Sequence, residues 1–229
     1  MKFVRDFSGN DRHGYYPSLN NEPTRNGATP EGEIAFEMTG VSRDYYAAAI
    51  LSDAEYSAMG WEVGVRGMTI NFWLNLTFGI NNNPSATANY PIFWYGDLAA
   101  RSSTAPPSDL YLRGSGQDNL LLAGPDSQGA TVVLATGWHQ YSAVVDVAAG
   151  PGPLRLYRDG VLLSTSAGNV TSNPAPATFG QPGFSWGLND GFLQRSHTFG
   201  TLTEFGPVSV YPTALTAAQL LTLHGVMTA

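Results

Sequence analysis

Side chains that could bind a cation lie close together near the start of the chain. Within residues 5–14, RDFSGNDRHG, oxygen atoms are offered by Asp6, Ser8, Asn10 and Asp11. Oxygen ligands at alternate positions are what the first half of a calcium-binding loop supplies to its cation. A structural calcium ion held by these four residues is therefore one hypothesis for this stretch.

The same stretch also has the composition of a tight turn. Gly9 accepts a positive φ, and Asn and Asp side chains bond to their own backbone in turns. An EF-hand loop would need glycine at its sixth position and glutamate at its twelfth. The chain has Asp11 and Pro17 at those positions. The sequence therefore favours a turn without a cofactor and leaves a bound cation as the alternative.

A second group of polar side chains brackets a tryptophan. Apolar and other residues alternate strictly over Met68–Phe78, MTINFWLNLTF, which predicts an antiparallel strand with one buried face. Trp73 lies between Asn71 and Asn75 on the opposite face. An indole can stack on the C–H groups of a sugar while the amides bond its hydroxyls, so these three are candidate glycan ligands. The alternative is a tryptophan buried against a neighbouring element.

The alternation also separates the two faces of this strand energetically. It predicts that Phe72 lies in the core and that Thr69 lies on the other face. Truncation of Phe72 should then destabilise the protein far more than truncation of Thr69.

The acidic residues do not form the pair that a glycan hydrolase needs. Retaining hydrolases hold two carboxyl groups about 5 Å apart, and the one Glu-x-Glu, Glu31 to Glu33, falls in a Pro/Gly-rich turn. Glu33 and Glu37 share a strand face, which a solvated surface explains better than catalysis. His139, next to Trp138, is expected to be a hydrogen-bonded sheet histidine. We expect no catalytic residue and no enzymatic activity.

Charge and composition exclude several classes of partner. The 229 residues include 18 acids against 11 bases, for a net charge of −7. An acidic chain without a Lys/Arg run suits neither nucleic acid nor an anionic membrane surface. Residues 1–6 lack the apolar core of a signal peptide, and no apolar run approaches the ~18 residues of a membrane span. Without cysteine, disulfides and thiolate metal sites are excluded.

Turn and capping residues predict where one hairpin turns and where one helix begins. Asp159 and Gly160 interrupt an apolar stretch, Pro153–Ser166, and predict a type I′ turn that sets Leu156 opposite Leu163. Thr216 with Gln219 forms a helix-starting capping box. The helix has an apolar stripe and a closing glycine: Leu220, Leu221, Leu223 and Gly225. Residues 52–60 form a second candidate helical turn.

Further short strands and turn-rich connections complete the pattern. The strands are expected at Glu33–Met38, Tyr90–Tyr95, Leu110–Arg113, Leu120–Ala123, Thr131–Leu134, Gly137–Val147 and Thr203–Pro212. Many short strands with a small terminal helix favour an all-β, antiparallel two-sheet jelly-roll sandwich. No linker or composition shift divides the chain, so residues 1–229 are expected to form a single domain.

Several stretches, taken in order, resemble the laminin-G-like, concanavalin A-like jelly-roll family. They are Asp6–Gly14, GMTINFWLNL, GWHQYSAVVD with the LRLYRDGVLLSTS hairpin, and VSVYPTALTAAQLLTL. The loops 80–89 and 99–109 depart from that family, and residues 168–201 match nothing in it. The resemblance implies a jelly-roll fold, whose relatives include lectins and glycan hydrolases, some of them holding calcium near such an opening stretch.

A virion is the setting that the sequence favours. A fold of secreted type without an export segment suits a virus that assembles in the cytoplasm and is released by lysis. We expect a non-enzymatic virion surface protein, a phage capsid decoration or fibre component that could contact host glycans. Its expected partners are other virion proteins or further copies of itself, as in a trimer. The alternatives are a lectin-like carbohydrate-binding module and, third, a glycan hydrolase with unrecognised acids.

Overall fold

The computed structural model describes the chain in several separate ranges. It describes residues 3–4, 14–15, 24–28, 34–38, 44–76, 91–98, 110–114, 119–124, 126, 129–133, 135–189 and 203–227. Within these residues the chain folds into two antiparallel sheets and two short helices. The predicted jelly-roll sandwich is confirmed.

The two sheets have eight and seven strands in the described residues. The first sheet has, in spatial order, β1 (Phe3–Val4), β2 (Gly14–Tyr15), β5 (Asp44–Ile50), β14 (Pro182–Asn189), β7 (Pro91–Asp97), β8 (Leu110–Gly114), β9 (Asn119–Ala123) and β10 (Gly129–Val133). The second has β13 (Val161–Val170), β12 (Gly152–Arg158), β11 (Gly137–Val145), β6 (Met68–Leu76), β15 (Thr203–Tyr211), β4 (Ile34–Met38) and β3 (Thr24–Ala28). Helix α1 (Asp53–Met59) precedes β6, and α2 (Ala217–Met227) follows β15.

The core lies between the two sheets and follows the predicted alternation of β6. The inward residues of this strand, Met68, Ile70, Phe72 and Leu74, are all buried in the main apolar cluster. The ring of Phe72 packs against Phe93 of the first sheet at 5.8 Å and against Tyr141 of β11 at 5.9 Å, between ring centroids. The contact with Phe93 joins the two sheets through side chains alone, and the contact with Tyr141 packs neighbouring strands of one sheet together.

The β12–β13 hairpin has the predicted turn but a different register. Asp159 and Gly160 have φ values of 52° and 76°, as a type I′ turn requires. The predicted pairing of Leu156 with Leu163 is wrong, because a bulge follows the first two pairs and sets Leu156 opposite Ser164. An extra residue in one strand shifts every later pair, and a turn motif carries no information about it.

Helix α2 begins as predicted and ends later than predicted. The Thr216 hydroxyl accepts the backbone N–H of Gln219, whose side-chain oxygen accepts the backbone N–H of Thr216. The helix runs to Met227, so Gly225 lies inside it and does not close it. Of the predicted apolar stripe, Leu220 is fully buried whereas Leu221 is 55% exposed. Helix α1 has the same capping box, formed by Ser52 and Glu55.

Hydrogen bonds to the Asp126 carboxylate link the β9–β10 connection to the segment after β13. Asp126 accepts hydrogen bonds from the backbone N–H groups of Thr171 and Ser172, at 2.7 and 3.2 Å, and from both hydroxyls. The pKa of Asp126 lies below its ordinary value of 3.8, chiefly because the Thr171 backbone N–H bonds to the charged form.

This carboxylate should contribute to stability in a pH-dependent way. Its contribution is present above pH 3.8 and is lost as the pH falls through the lowered folded-state pKa. Asp126→Asn should therefore lower the melting temperature near neutral pH, and the gap to wild type should close in strong acid. Thermal unfolding of both proteins from about pH 7 down to about pH 2.5 tests this. A gap of constant size at every pH would contradict it.

Candidate functional site

The outward face of β6 is covered by the C-terminal segment of the chain. The Thr69 hydroxyl donates to the carbonyl oxygen of Thr213 at 2.8 Å and accepts the backbone N–H of Leu215 at 2.9 Å. Leu220 of α2 packs in a small apolar cluster with Val144 and Tyr157 on the same outer face of the second sheet. The face opposite the core is therefore buried over the middle of β6, β11 and β12.

This cover buries the first two candidate glycan ligands. Trp73 is 1% exposed, and its ring lies 5.7 Å from that of His224 in α2. Asn71 is 2% exposed and accepts a hydrogen bond from the Ser142 hydroxyl at 2.8 Å. Of the two alternatives for Trp73, the structure has the buried one. With α2 in place, neither residue presents an open surface to a sugar.

The third candidate ligand, Asn75, lies beyond the covered part of the face and belongs to a different group. The register of the second sheet pairs Trp138 of β11 with Asn75, and Asn75 with Glu204 of β15. Directly paired side chains project from the same face of a sheet. The Asn75 amide donates to the Glu204 carboxylate, and all three side chains are half-buried. We call these three residues the Trp138 row.

The Trp138 row combines the chemical groups that bind sugars. An indole face offers dispersion contact to ring C–H groups, and an amide and a carboxylate accept or donate hydrogen bonds to hydroxyls. Neighbouring strands lie about 4.8 Å apart, so the row spans roughly 10 Å. That length suits a short saccharide laid across the strands. Because Asn75 already bonds to Glu204, the polar half of the row is held in place before a ligand arrives.

Both ring nitrogens of His139 lie close to oxygen atoms of neighbouring residues. Its Nδ1 lies 2.6 Å from the Asp159 carboxylate, and its Nε2 lies 3.2 Å from the carbonyl oxygen of Thr136. A general base needs one nitrogen directed at a substrate proton, and both are engaged here. Asp159 also accepts the backbone N–H of Gln140 at 2.9 Å, so the pair anchors the hairpin turn. The predicted hydrogen-bonded sheet histidine is confirmed.

The predicted cation ligands are not among the residues that the structure describes. Asp6, Ser8, Asn10 and Asp11 lie outside them, so the choice between turn and calcium site stays a prediction. Glu33 and the loops 80–89 and 99–109 lie outside them as well. In the described part of the chain, no three His, Asp or Glu side chains come together in a way that could hold a metal ion. Neither described helix is long and apolar enough to cross a membrane.

Trp138 and Glu204 were not predicted as candidate binding residues, because their association with Asn75 depends on strand order. Alternation along GWHQYS puts Trp138 on the same face as Gln140 and Ser142, and that much is readable from the sequence. The sheet topology sets β6 between β11 and β15. Asn75 therefore lies between Trp138 and Glu204. Residues far apart in sequence are brought together by this topology.

In fold, the chain is similar to receptor-binding domains of botulinum neurotoxins. The domain from the C/D mosaic serotype matches with a TM-score of 0.63 and 11% identity, over 96% of this chain and 48% of that one. The domain from neurotoxin D matches at 0.62 and 12%, over 96% and 49%. A structure of neurotoxin type C, which depends on interaction with two ganglioside molecules to get into cells, matches at 0.58 and 11%, over 90% and 45%.

These likenesses show a shared β-sandwich fold. The chain spans about half the length of the solved chains that it matches. Neither a family model nor a curated protein matches it. The resemblance to the laminin-G-like family in particular therefore stays a prediction.

Proposed function

We propose that this chain is a non-catalytic recognition domain that binds glycans through the Trp138 row. The observation that carries the proposal is the half-exposed arrangement of Trp138, Asn75 and Glu204 across three neighbouring strands. An aromatic plane beside a fixed amide–carboxylate pair provides stacking and hydroxyl recognition in one place. The proposal keeps Asn75 from the predicted trio and replaces Trp73 with Trp138.

The fold supports this kind of function. Its neighbours are receptor-binding domains, and one of them belongs to a toxin that interacts with two ganglioside molecules. A ganglioside carries an oligosaccharide, the chemical class that the row would recognise. Fold alone does not transfer function, so the argument rests on the three side chains and takes the neighbours as support.

A virion surface is the setting that we propose for this recognition domain. Charged residues make up 13% of the sequence, and a surface low in charge suits close packing in a larger assembly because interface cores disfavour charge. A single shallow site would bind a saccharide weakly, and the many copies on a particle would raise the avidity. A free carbohydrate-binding module is the alternative. Copurification with a particle would favour the virion, and sugar binding by the isolated chain alone would favour the module.

A glycan array separates binding by the row from binding elsewhere. The wild-type chain should retain a defined set of glycans when it is displayed in multivalent form. The Trp138→Ala variant should lose that set, whereas Val65→Ala, at an exposed apolar residue in the turn after α1, should keep it. Equal retention by all three proteins would place the glycan site elsewhere, and no retention by wild type would contradict the proposed function.

A further inference from the structure

One side of the sandwich is formed by the outer strands of both sheets. In the described residues, β10 ends the first sheet and β13 ends the second, and the two strands lie against each other. Helix α2 packs beside β13 at the hairpin turn, where Gly160 abuts Leu221. We call the surface of β10, β13 and the outer side of α2 the uncharged side.

No charged residue lies in the strands of the uncharged side. The β10 sequence is GATVV and the β13 sequence is VLLSTSAGNV. The exposed residues of α2 in the described part of the chain, Ala217–Gln219, Leu221, Thr222 and Gly225, are uncharged as well. Outer strands of soluble proteins commonly carry lysine or another charge that prevents association. The absence of that protection here marks the surface as a contact.

Exposed apolar side chains are concentrated on the same surface. Six large apolar side chains are strongly exposed in the described residues, and four of them lie here. They are Val133 at 65%, Val161 at 60%, Leu221 at 55% and Leu162 at 47% exposure. Contiguous exposed apolar surface on a soluble protein indicates an interaction site.

The net charge of the chain restricts where two copies can meet. Two copies with a net charge of −7 each repel one another through most of their surface. A contact through the two strands sets no charged strand residue of one copy against the other, and it needs no oppositely charged partner. The exposed Asp126 lies beyond the ends of these strands, where it bonds to Thr171 and Ser172. We propose that the uncharged side is the contact between two copies of this chain, related by a two-fold axis that sets the surface against itself.

The area is sufficient for a specific, reversible contact. A ten-residue strand is about 33 Å long, and two packed sheets lie about 10 Å apart. With half the width of a helix, about 5 Å, the side is about 15 Å wide and covers on the order of 500 Å² per copy, which is at the lower bound of about 1,000 Å² in total for specific interfaces. The inference is independent of glycan binding, although a dimer would present two Trp138 rows to a surface and raise the avidity.

Sedimentation velocity over a range of micromolar concentrations tests the dimer. Wild type should show a concentration-dependent species of twice the monomer mass. A Val133→Lys, Leu162→Lys double variant should raise the dissociation constant at least about a hundredfold, because like charges would meet across the two-fold axis. Its melting temperature should stay near that of the wild-type monomer, since both side chains are exposed.

A matched control distinguishes the surface from a general effect of added charge. Val65 is 61% exposed and lies outside the uncharged side, so Val65→Lys should leave the dimer intact. Thr165→Lys, at an exposed residue of β13, provides a second variant if the double variant does not fold. A monomeric wild type, equal dissociation by Val65→Lys, or a trimer that survives the lysine substitutions would overturn the inference. Sugar affinity per site should be the same in the dissociated variant, so the two proposals can fail separately.

Discussion

Phe72→Ala is expected to lower the free energy of unfolding by about 3–5 kcal/mol. The side chain is 4% exposed and packs against Phe93 and Tyr141, which belong to different sheets. Its removal leaves a cavity at the junction between the two layers, where the surrounding rings cannot collapse fully. Urea unfolding of the variant, with wild type as reference, measures the loss as a shift in midpoint.

Two control variants test whether that loss of stability is specific to a core side chain. Val65→Ala removes an exposed side chain and should change the free energy of unfolding by less than about 0.5 kcal/mol. Thr69→Ala was expected from the sequence to cost little, and the structure corrects this. Its buried hydroxyl bonds to Thr213 and Leu215, so its loss should cost about 1–3 kcal/mol. A Phe72 variant as stable as the Val65 variant would place the core elsewhere.

Gly160→Ala should destabilise the protein and displace α2. Gly160 has a φ of +76°, and a Cβ built there lies 2.6 Å from the Cα and 2.9 Å from the backbone nitrogen of Leu221. Backbone strain at such a position costs of order 1–3 kcal/mol, and backbone atoms of a helix cannot rotate away as a side chain could. The helix must therefore move, and Trp73 beneath it should become accessible to solvent.

Gly64 provides the matched control for this substitution. Its φ is +80°, and a Cβ there meets nothing within 4 Å, so Gly64→Ala carries the backbone cost without the collision. Unfolding free energy and acrylamide quenching of tryptophan fluorescence should be measured for both variants. Greater loss and greater quenching in the Gly160 variant support the packing of α2 on the turn. Identical results for both glycines would contradict it.

Features with a local cause were predictable from the sequence. The alternation of β6, the capping boxes at Ser52 and Thr216, and the turn at Asp159–Gly160 each depend on residues within a few positions of one another. The strands β7, β8, β9 and β10 were located within a few residues for the same reason. Local propensity and a buried face are sufficient to predict an element that carries both.

Features that depend on distant partners were not predictable. The strand Pro182–Asn189 has glycine or a polar residue at four of its eight positions, and the two glycines weaken it as a strand. It is stabilised by pairing with β5 and β7 on either side. The burial of Trp73 depends on α2, which lies about 150 residues further along the chain. The candidate site was partly predictable in the same way: Asn75 was identified from its own strand, whereas Trp138 and Glu204 needed the sheet order.

An equilibrium titration of one glycan against variants of Trp138 tests the central claim most directly. The glycan with the highest retention on the array would be titrated into wild type, Trp138→Phe and Trp138→Ala, with their folding checked by circular dichroism. Stacking needs an aromatic face, so the phenylalanine variant should bind within a few-fold of wild type and the alanine variant at least about tenfold more weakly, which corresponds to 1.4 kcal/mol. Unchanged affinity in the folded alanine variant would contradict the assignment of the Trp138 row as the glycan site.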